Sequence, residues 1–292
     1  MTITNGDIAG LFCALVWALN GLILRTQSTK VPPALLNTIR CSVAAVFFWV
    51  LIPFDSGGLD FSEVTTREWL LLVSAMFIGI VVGDLLYLVS IREIGVSRTL
   101  ALVGVYPLTT LLFEQLLLDV PLKPSFAFGS VLVASGVVCL SSRVNVDAES
   151  GRVRLGVVVA IVAAFLWGLS TVLLAPAIVH MTPIQANAIR MPAVAVVFYF
   201  LWRLTRGPSR TGLMDRRTLM IVGLTGLLGM GIASIFYLYA IQQVGAAKTA
   251  TLSAATPVFG LVMAVVFLKE KVTVRLALGV ALCVGGVLLV LG

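Results

Sequence analysis

The chain has 292 residues, of which 60% are hydrophobic and only 11% are charged. Soluble domains carry about 25% charged residues, so this composition excludes a soluble domain. The net charge of +7 reflects arginines in short loops, where they set topology, and not a nucleic-acid surface.

The opening MTITNGD has no basic leader, so the first apolar run reads as a retained span and not a cleaved signal. Apolar runs of transmembrane length predict five spans in the first half, over 8–25, 34–53, 69–91, 98–118 and 124–141. The predicted fold is all-α, because in lipid every backbone polar group needs an internal partner and the runs are too continuous for barrel strands. The first span carries Trp17 and Asn20, and the second carries Arg40. The third holds Asp84 and Tyr87; the fourth holds Pro107 and Glu114. Gly129 and Gly136 share one face of the fifth, which reads as a packing helix.

A predicted linker over 143–155 leads to five more spans, over 156–178, 184–202, 218–241, 247–268 and 273–291. Here the first half returns at a fixed offset. Trp17 recurs as Trp167, Arg40 as Arg190, Tyr87 as Tyr237, Pro107 as Pro257, and Gly129 and Gly136 as Gly279 and Gly286. Ser170 stands where Asn20 does. The division is therefore a first repeat (1–142), the linker (143–155) and a second repeat (156–292). An odd number of spans per repeat turns the second copy over, the inverted duplication common in secondary transporters. The glycine-rich run Gly223–Gly231 lies inside a span with no preceding strand, so it packs and does not bind a nucleotide.

Orientation follows from the loops. Fifteen Lys and Arg residues, among them Arg92, Arg98, Arg152, Arg203, Arg217 and Arg275, fall on one side. Three, Arg67, Lys123 and Lys248, fall on the other. The positive-inside rule puts the fifteen in the cytoplasm and both termini outside.

Charges within spans are functional candidates. Arg40 and Arg190 can hold an anionic group bidentately, or tie helix ends together. Asp84 and Glu114 are candidate proton carriers, or members of ion pairs. Trp17, Trp167, Tyr87 and Tyr237, with Asn20 and Ser170, suit a cavity for organic solutes, or helix packing. Pro107 and Pro257 bend their spans and are candidate gate hinges. Enzyme signatures are missing: His180 is the only histidine, and there is no HExxH, GxSxG or P-loop. No metal, cofactor or catalytic residue is expected. The four cysteines lie in apolar runs without a CxxC pair and read as small core residues.

The chain resembles the drug/metabolite transporter superfamily, in its EamA-type branch. The resemblance rests on Trp17-Ala-Leu-Asn20 with Trp167-Gly-Leu-Ser170, and on Pro33-x-x-x-Asn37-x-x-Arg40 with Pro183-x-x-x-Asn187-x-x-Arg190. Tyr87 to Gly95 with Tyr237 to Gly245, the two prolines, and Phe267-Leu-Lys-Glu270 complete it. It implies a ten-span bundle with a central cavity and a substrate that is a small metabolite such as an amino acid. Multidrug or sugar and nucleotide-sugar transport is the alternative within the fold; a membrane-embedded enzyme or lipid-handling protein is the alternative outside it. The resemblance also implies cytoplasmic termini, against the charge count. The expected setting is the inner membrane of a prokaryote, with membrane lipids and the solute as partners, a proton as candidate coupling ion, and no indication of oligomeric state.

Overall fold

The computed structural model describes residues 3–24, 27, 31–121, 123–141, 151–205, 214–268 and 273–291, with no strand among them. The first half comprises α1 (Asn5–Leu24), α2 (Pro33–Leu51), α3 (Thr66–Ile94), α4 (Val96–Val103), α5 (Tyr106–Leu118) and α6 (Pro124–Ser141). The second half repeats the order as α7 (Gly151–Ala177), α8 (Pro183–Thr205), α9 (Arg216–Val244), α10 (Ala246–Ser253), α11 (Thr256–Leu268) and α12 (Val274–Leu291). Among the described residues seven helices are long and apolar enough to cross a membrane: α1, α2 with its continuation to Phe54, α3, α7, α8, α9 and α12. The chain is an all-helical, multi-pass membrane protein. The expected linker lies outside the described residues up to position 150, and from Gly151 onward it is already helix.

Two expectations need correction. The stretches 98–118 and 247–268 are not single helices. Each stops and restarts, after Val103 and after Ser253. The reason is the paired prolines. Proline has no N–H to donate four residues back, and four residues before Pro107 and Pro257 stand Val103 and Ser253, the last residues of α4 and α10. The chain instead makes a short turn, in which Leu108 N bonds Val105 O and Val258 N bonds Ala255 O, both at 2.9 Å. The prolines therefore open new helices rather than bend old ones.

The third and ninth helices each contain a feature the sequence did not announce, a π-helical segment at Phe77–Gly83 and Gly226–Ile232. Such bulges concentrate at functional sites. They are repeat partners, and each ends where a site residue begins, at Asp84 and at Ala233 beside Ser234.

The repeats are inverted, and α6 against α12 proves it. A Cβ built on Gly129 would lie 2.8 Å from Gly286 O, and one on Gly136 would lie 2.7 Å from Gly279 O. As one helix ascends the other descends, so helices of equal rank run antiparallel. This close approach depends on small residues. Gly136→Ala should therefore lower the unfolding temperature of the detergent-solubilised protein, at a cost of about 1–3 kcal/mol for overpacking. Its new methyl would meet Cys283 N, also at 2.7 Å, and backbone cannot step aside. An unchanged unfolding temperature would contradict this packing.

The halves also exchange their first helices. Helix α1 packs on α9, α10 and α11, and α7 packs on α3, α4 and α5. Helices α2 and α8 lie against one another around Phe48, Phe198, Met191 and Val194, all nearly or fully buried.

Candidate functional site

The exchanged helices build the site. On each, the residue three after tryptophan sits on a glycine of the opposing π segment: Asn20 on Gly229 and Ser170 on Gly79. A Cβ on Gly79 would run into Ser170 Oγ and lie 2.7 Å from Ser170 Cβ, and one on Gly229 would lie 2.7 Å from Asn20 Nδ2 and displace that amide. The tryptophans then reach into the other half. Trp167 Nε1 donates to Asp84 Oδ1 at 3.0 Å, and Trp17 Nε1 donates to Gly229 O at 3.2 Å. Each ring packs on a tyrosine of that half. Trp17 meets Tyr237 and Trp167 meets Tyr87, both with centroids 5.1 Å apart, within the range of favourable ring contacts. Thr171 Oγ1 lies 2.7 Å from the Tyr237 hydroxyl. Tyr106 at the α4–α5 break hydrogen-bonds Ser253 at the α10–α11 break and donates to Ala250 O at 2.8 Å.

The arginines come from the α2–α8 pair. Each is held by the asparagine one helical turn before it: Arg40 Nη1 donates to Asn37 Oδ1 at 2.8 Å, and Arg190 Nη1 to Asn187 Oδ1 at 3.2 Å. Ser234 also donates to Asn187 Oδ1, at 3.0 Å. Arg40 is 6% and Arg190 5% exposed, yet the Nε of each, and Oδ1 of Asn20, lack a protein partner. Among the described residues no carboxylate lies within 4.0 Å of either guanidinium. Asp84 nevertheless interacts electrostatically with both. The sequence named the arginines; the asparagines that orient them were visible only as part of a repeated motif, and Ser234 only as the unmatched partner of Asp84.

All of these side chains except Asn37 and Asn187 line one cavity of about 440 Å³, within the size range of small-molecule sites. Arg40, Asp84 and Arg190 are the charged members of its lining, among the described residues. Trp17, Asn20, Tyr87, Tyr106, Trp167, Ser170, Tyr237 and Pro257 also line it. Thus every expected binding residue comes together in one place, although Arg40 and Arg190 lie 150 positions apart in the chain. The cavity is lined along α7 to Leu174 at one end, and along α1 to its last residue, Leu24, and along α3 to Ile91 at the other.

The opposite end is crossed by polar ties. Three helix starts there carry reciprocal caps, Thr4 with Asp7, Thr65 with Glu68, and Thr182 with Gln185. Each third residue also reaches to another segment. Asp7 Oδ1 pairs with Lys248 Nζ at 2.8 Å. Glu68 Oε1 lies 2.7 Å from His180 Nδ1. Gln185 Nε2 donates to Asp60 O at 2.9 Å, and Thr182 Oγ1 to Asp55 Oδ2 at 2.7 Å. Gln242 Nε2 donates to Ile178 O and Met181 O, both at 2.7 Å. Glu114 belongs to this layer and not to the cavity. Its Oε1 accepts from Ala246 N at 3.0 Å and Ala247 N at 3.1 Å, capping the start of α10.

Two inverted helical repeats that enclose a largely apolar cavity with a few polar groups are the architecture of many membrane transporters. The sequence profile of the EamA-like transporter family matches residues 4–142 and again 154–292. The chain belongs to that family. It is similar to an uncharacterized transporter of Archaeoglobus fulgidus, at 25% identity over 285 residues and 97% of each chain. The uncharacterized transporter YoaV of Bacillus subtilis is 21% identical over 278 residues, covering 94% of this chain and 92% of its own. A crystal structure at 21% identity superposes with a TM-score of 0.82 over 99% of this chain and 98% of its own, and shares the fold.

Proposed function

We propose that the protein is a secondary transporter, an exporter or facilitator of small metabolites such as amino acids, working by alternating access between the two inverted repeats. The observation that carries this reading is the cavity itself. It presents two buried guanidiniums with unpartnered N–H groups, one carboxylate, and a ring of four paired aromatics. A carboxylate-bearing solute offers acceptors to Arg40 and Arg190, and its body packs on Trp17, Trp167, Tyr87 and Tyr237. Asn20 and Ser170 are assigned to the same site. Asp84 is the carboxylate assigned to carry a coupling proton, with Glu114 the second candidate. The breaks at Pro107 and Pro257 are assigned as hinges, because a chain that has already left the helix bends there without losing further bonds.

The bundle is assigned to the inner membrane of a prokaryote. Arg92, Arg98, Arg152, Arg203, Arg217 and Arg275 flank helix ends at the Leu24 end, which supports assigning that end to the cytoplasm. Labelling of a cysteine introduced at Thr205 only from the inside of intact cells is the expected result; labelling from outside would reverse the orientation.

Trp17 and Trp167 report on ligands directly. Titration of the purified protein with a panel of amino acids, sugars and lipophilic cationic drugs should change tryptophan emission, saturably, with amino acids. A response to the drugs or sugars alone would replace amino acids as the substrate class.

A further inference from the structure

We propose that Asp7, Glu114 and Lys248 form a one-sided latch, which holds the transporter closed at the Asp7 end and makes the unloaded protein rest open toward the Leu24 end. This inference rests on the transport reading and adds to it the side from which substrate is first taken.

In an inverted duplication, the state open to the other side is approximated by exchanging the conformations of the two halves. If both ends were sealed by equivalent contacts, the two states would be similarly stable and the protein would have no preferred side. The contacts sealing the Asp7 end are not equivalent to anything at the other. Asp7 is fully buried and its partner Lys248 largely so, at 2.8 Å. Glu114 is 9% exposed and accepts two backbone N–H groups from the start of α10. All three thus converge on the first turn of α10, the helix that packs against α1 and α5 across the mouth. At the symmetry-related positions stand Val157 for Asp7, Ala264 for Glu114 and Arg98 for Lys248. The second half supplies no carboxylate at either acidic position, so the exchanged state has no copy of this latch. Neighbouring ties at the same end share the asymmetry: Gln185 corresponds to Leu35, and Glu68 to Thr218.

Opening at the Asp7 end must strip Glu114, on α5, from the amides of α10. Asp7 and Lys248 both lie in the group that α1 forms with α9, α10 and α11, and hold in place the first turn of α10 that Glu114 caps. A buried carboxylate that loses such partners pays a large desolvation cost unless water or a solute replaces them. The latch therefore biases the equilibrium toward the state in which the cavity meets the Leu24 end. With that end cytoplasmic, the solute is loaded from inside, which is the direction an exporter needs.

Leu24 and Leu174 are repeat partners that both line the cavity, one toward each end, and serve as reporters. In a background with Cys13, Cys41, Cys139 and Cys283 replaced by Ala, a Leu24→Cys reporter should react with a membrane-impermeant maleimide faster than a Leu174→Cys reporter. The double substitution Asp7→Asn with Lys248→Met removes the pair without stranding a charge. It should raise the Leu174→Cys rate about tenfold or more relative to Leu24→Cys, as a population shift requires. Glu114→Gln should act in the same direction. Amide hydrogen exchange on the protein with its native cysteines provides the second measurement: exchange around residues 243–250 should quicken in the double variant while exchange around 93–100 slows. An unchanged labelling ratio, or a parallel rise at both reporters, would overturn the latch. A shifted ratio in a protein that moves no solute would leave the latch standing and remove the transport reading. Solute flux with no shift would do the reverse.

Discussion

Replacing Asp84 by Asn should abolish uptake driven by a pH gradient in proteoliposomes and leave the fold in place. The first half of this expectation comes from the position of the carboxylate. It is the acidic member of the cavity lining among the described residues, at the end of the π segment in α3. No other carboxylate there could take its place as a proton carrier. The second half comes from its hydrogen bond. An asparagine amide oxygen can still accept from Trp167 Nε1, the contact at 3.0 Å that ties α7 to α3. Loss of driven uptake with an unchanged unfolding temperature therefore reports chemistry and not collapse. Full retention of driven uptake would remove Asp84 from the coupling mechanism. Loss after Glu114→Gln instead, with the gradient-free exchange rate also falling, would fit the capping role of Glu114 at α10.

Arg190→Gln should weaken binding of a carboxylate-bearing solute by a factor of about 10–150. A charge-assisted hydrogen bond is worth about 1.5–3 kcal/mol, and each 1.4 kcal/mol is about tenfold in affinity. Arg190 is only 5% exposed, and its guanidinium is held by Asn187 with Nε unpartnered, so the loss falls on ligand contacts more than on helix packing. Arg190→Lys should recover little, because an ammonium keeps the charge but not the planar fork. Arg40→Gln should cost a similar amount, since the repeat gives both arginines the same asparagine support. Tryptophan emission titrations measure all three. Unchanged affinity in both glutamine variants would show that the arginines brace the helices and do not bind solute.

Much of this arrangement is legible in the amino-acid sequence, and the reasons are physical. Hydropathy locates the long helices to within a few residues because the bilayer fixes their length. Repeat partners at a single offset expose the duplication, and the odd count of spans implies its inversion, which the antiparallel Gly129–Gly286 and Gly136–Gly279 contacts bear out. Pro107 and Pro257 mark irregular backbone, but the sequence does not say whether a helix bends or ends; that depends on whether a turn such as Leu108 N to Val105 O can absorb the break. The π segments are illegible, because the extra residue is stabilised by packing against Asn20 and Ser170 from the opposite half. The exchange of α1 and α7 is equally hidden, since both repeats are compatible with keeping their own first helix. Glu114 shows the same limit. A carboxylate inside a predicted span is a functional candidate on cost alone, and only the two amides of α10 show what it holds.

Solute movement through this one protein is the most direct test of its assigned function. Purified protein in liposomes preloaded with an amino acid that shifts its tryptophan emission should release that solute saturably. The release should be lost in the Arg40→Gln, Arg190→Gln double variant. Release no faster than from protein-free liposomes, across every solute that the protein binds, would contradict transport as its function.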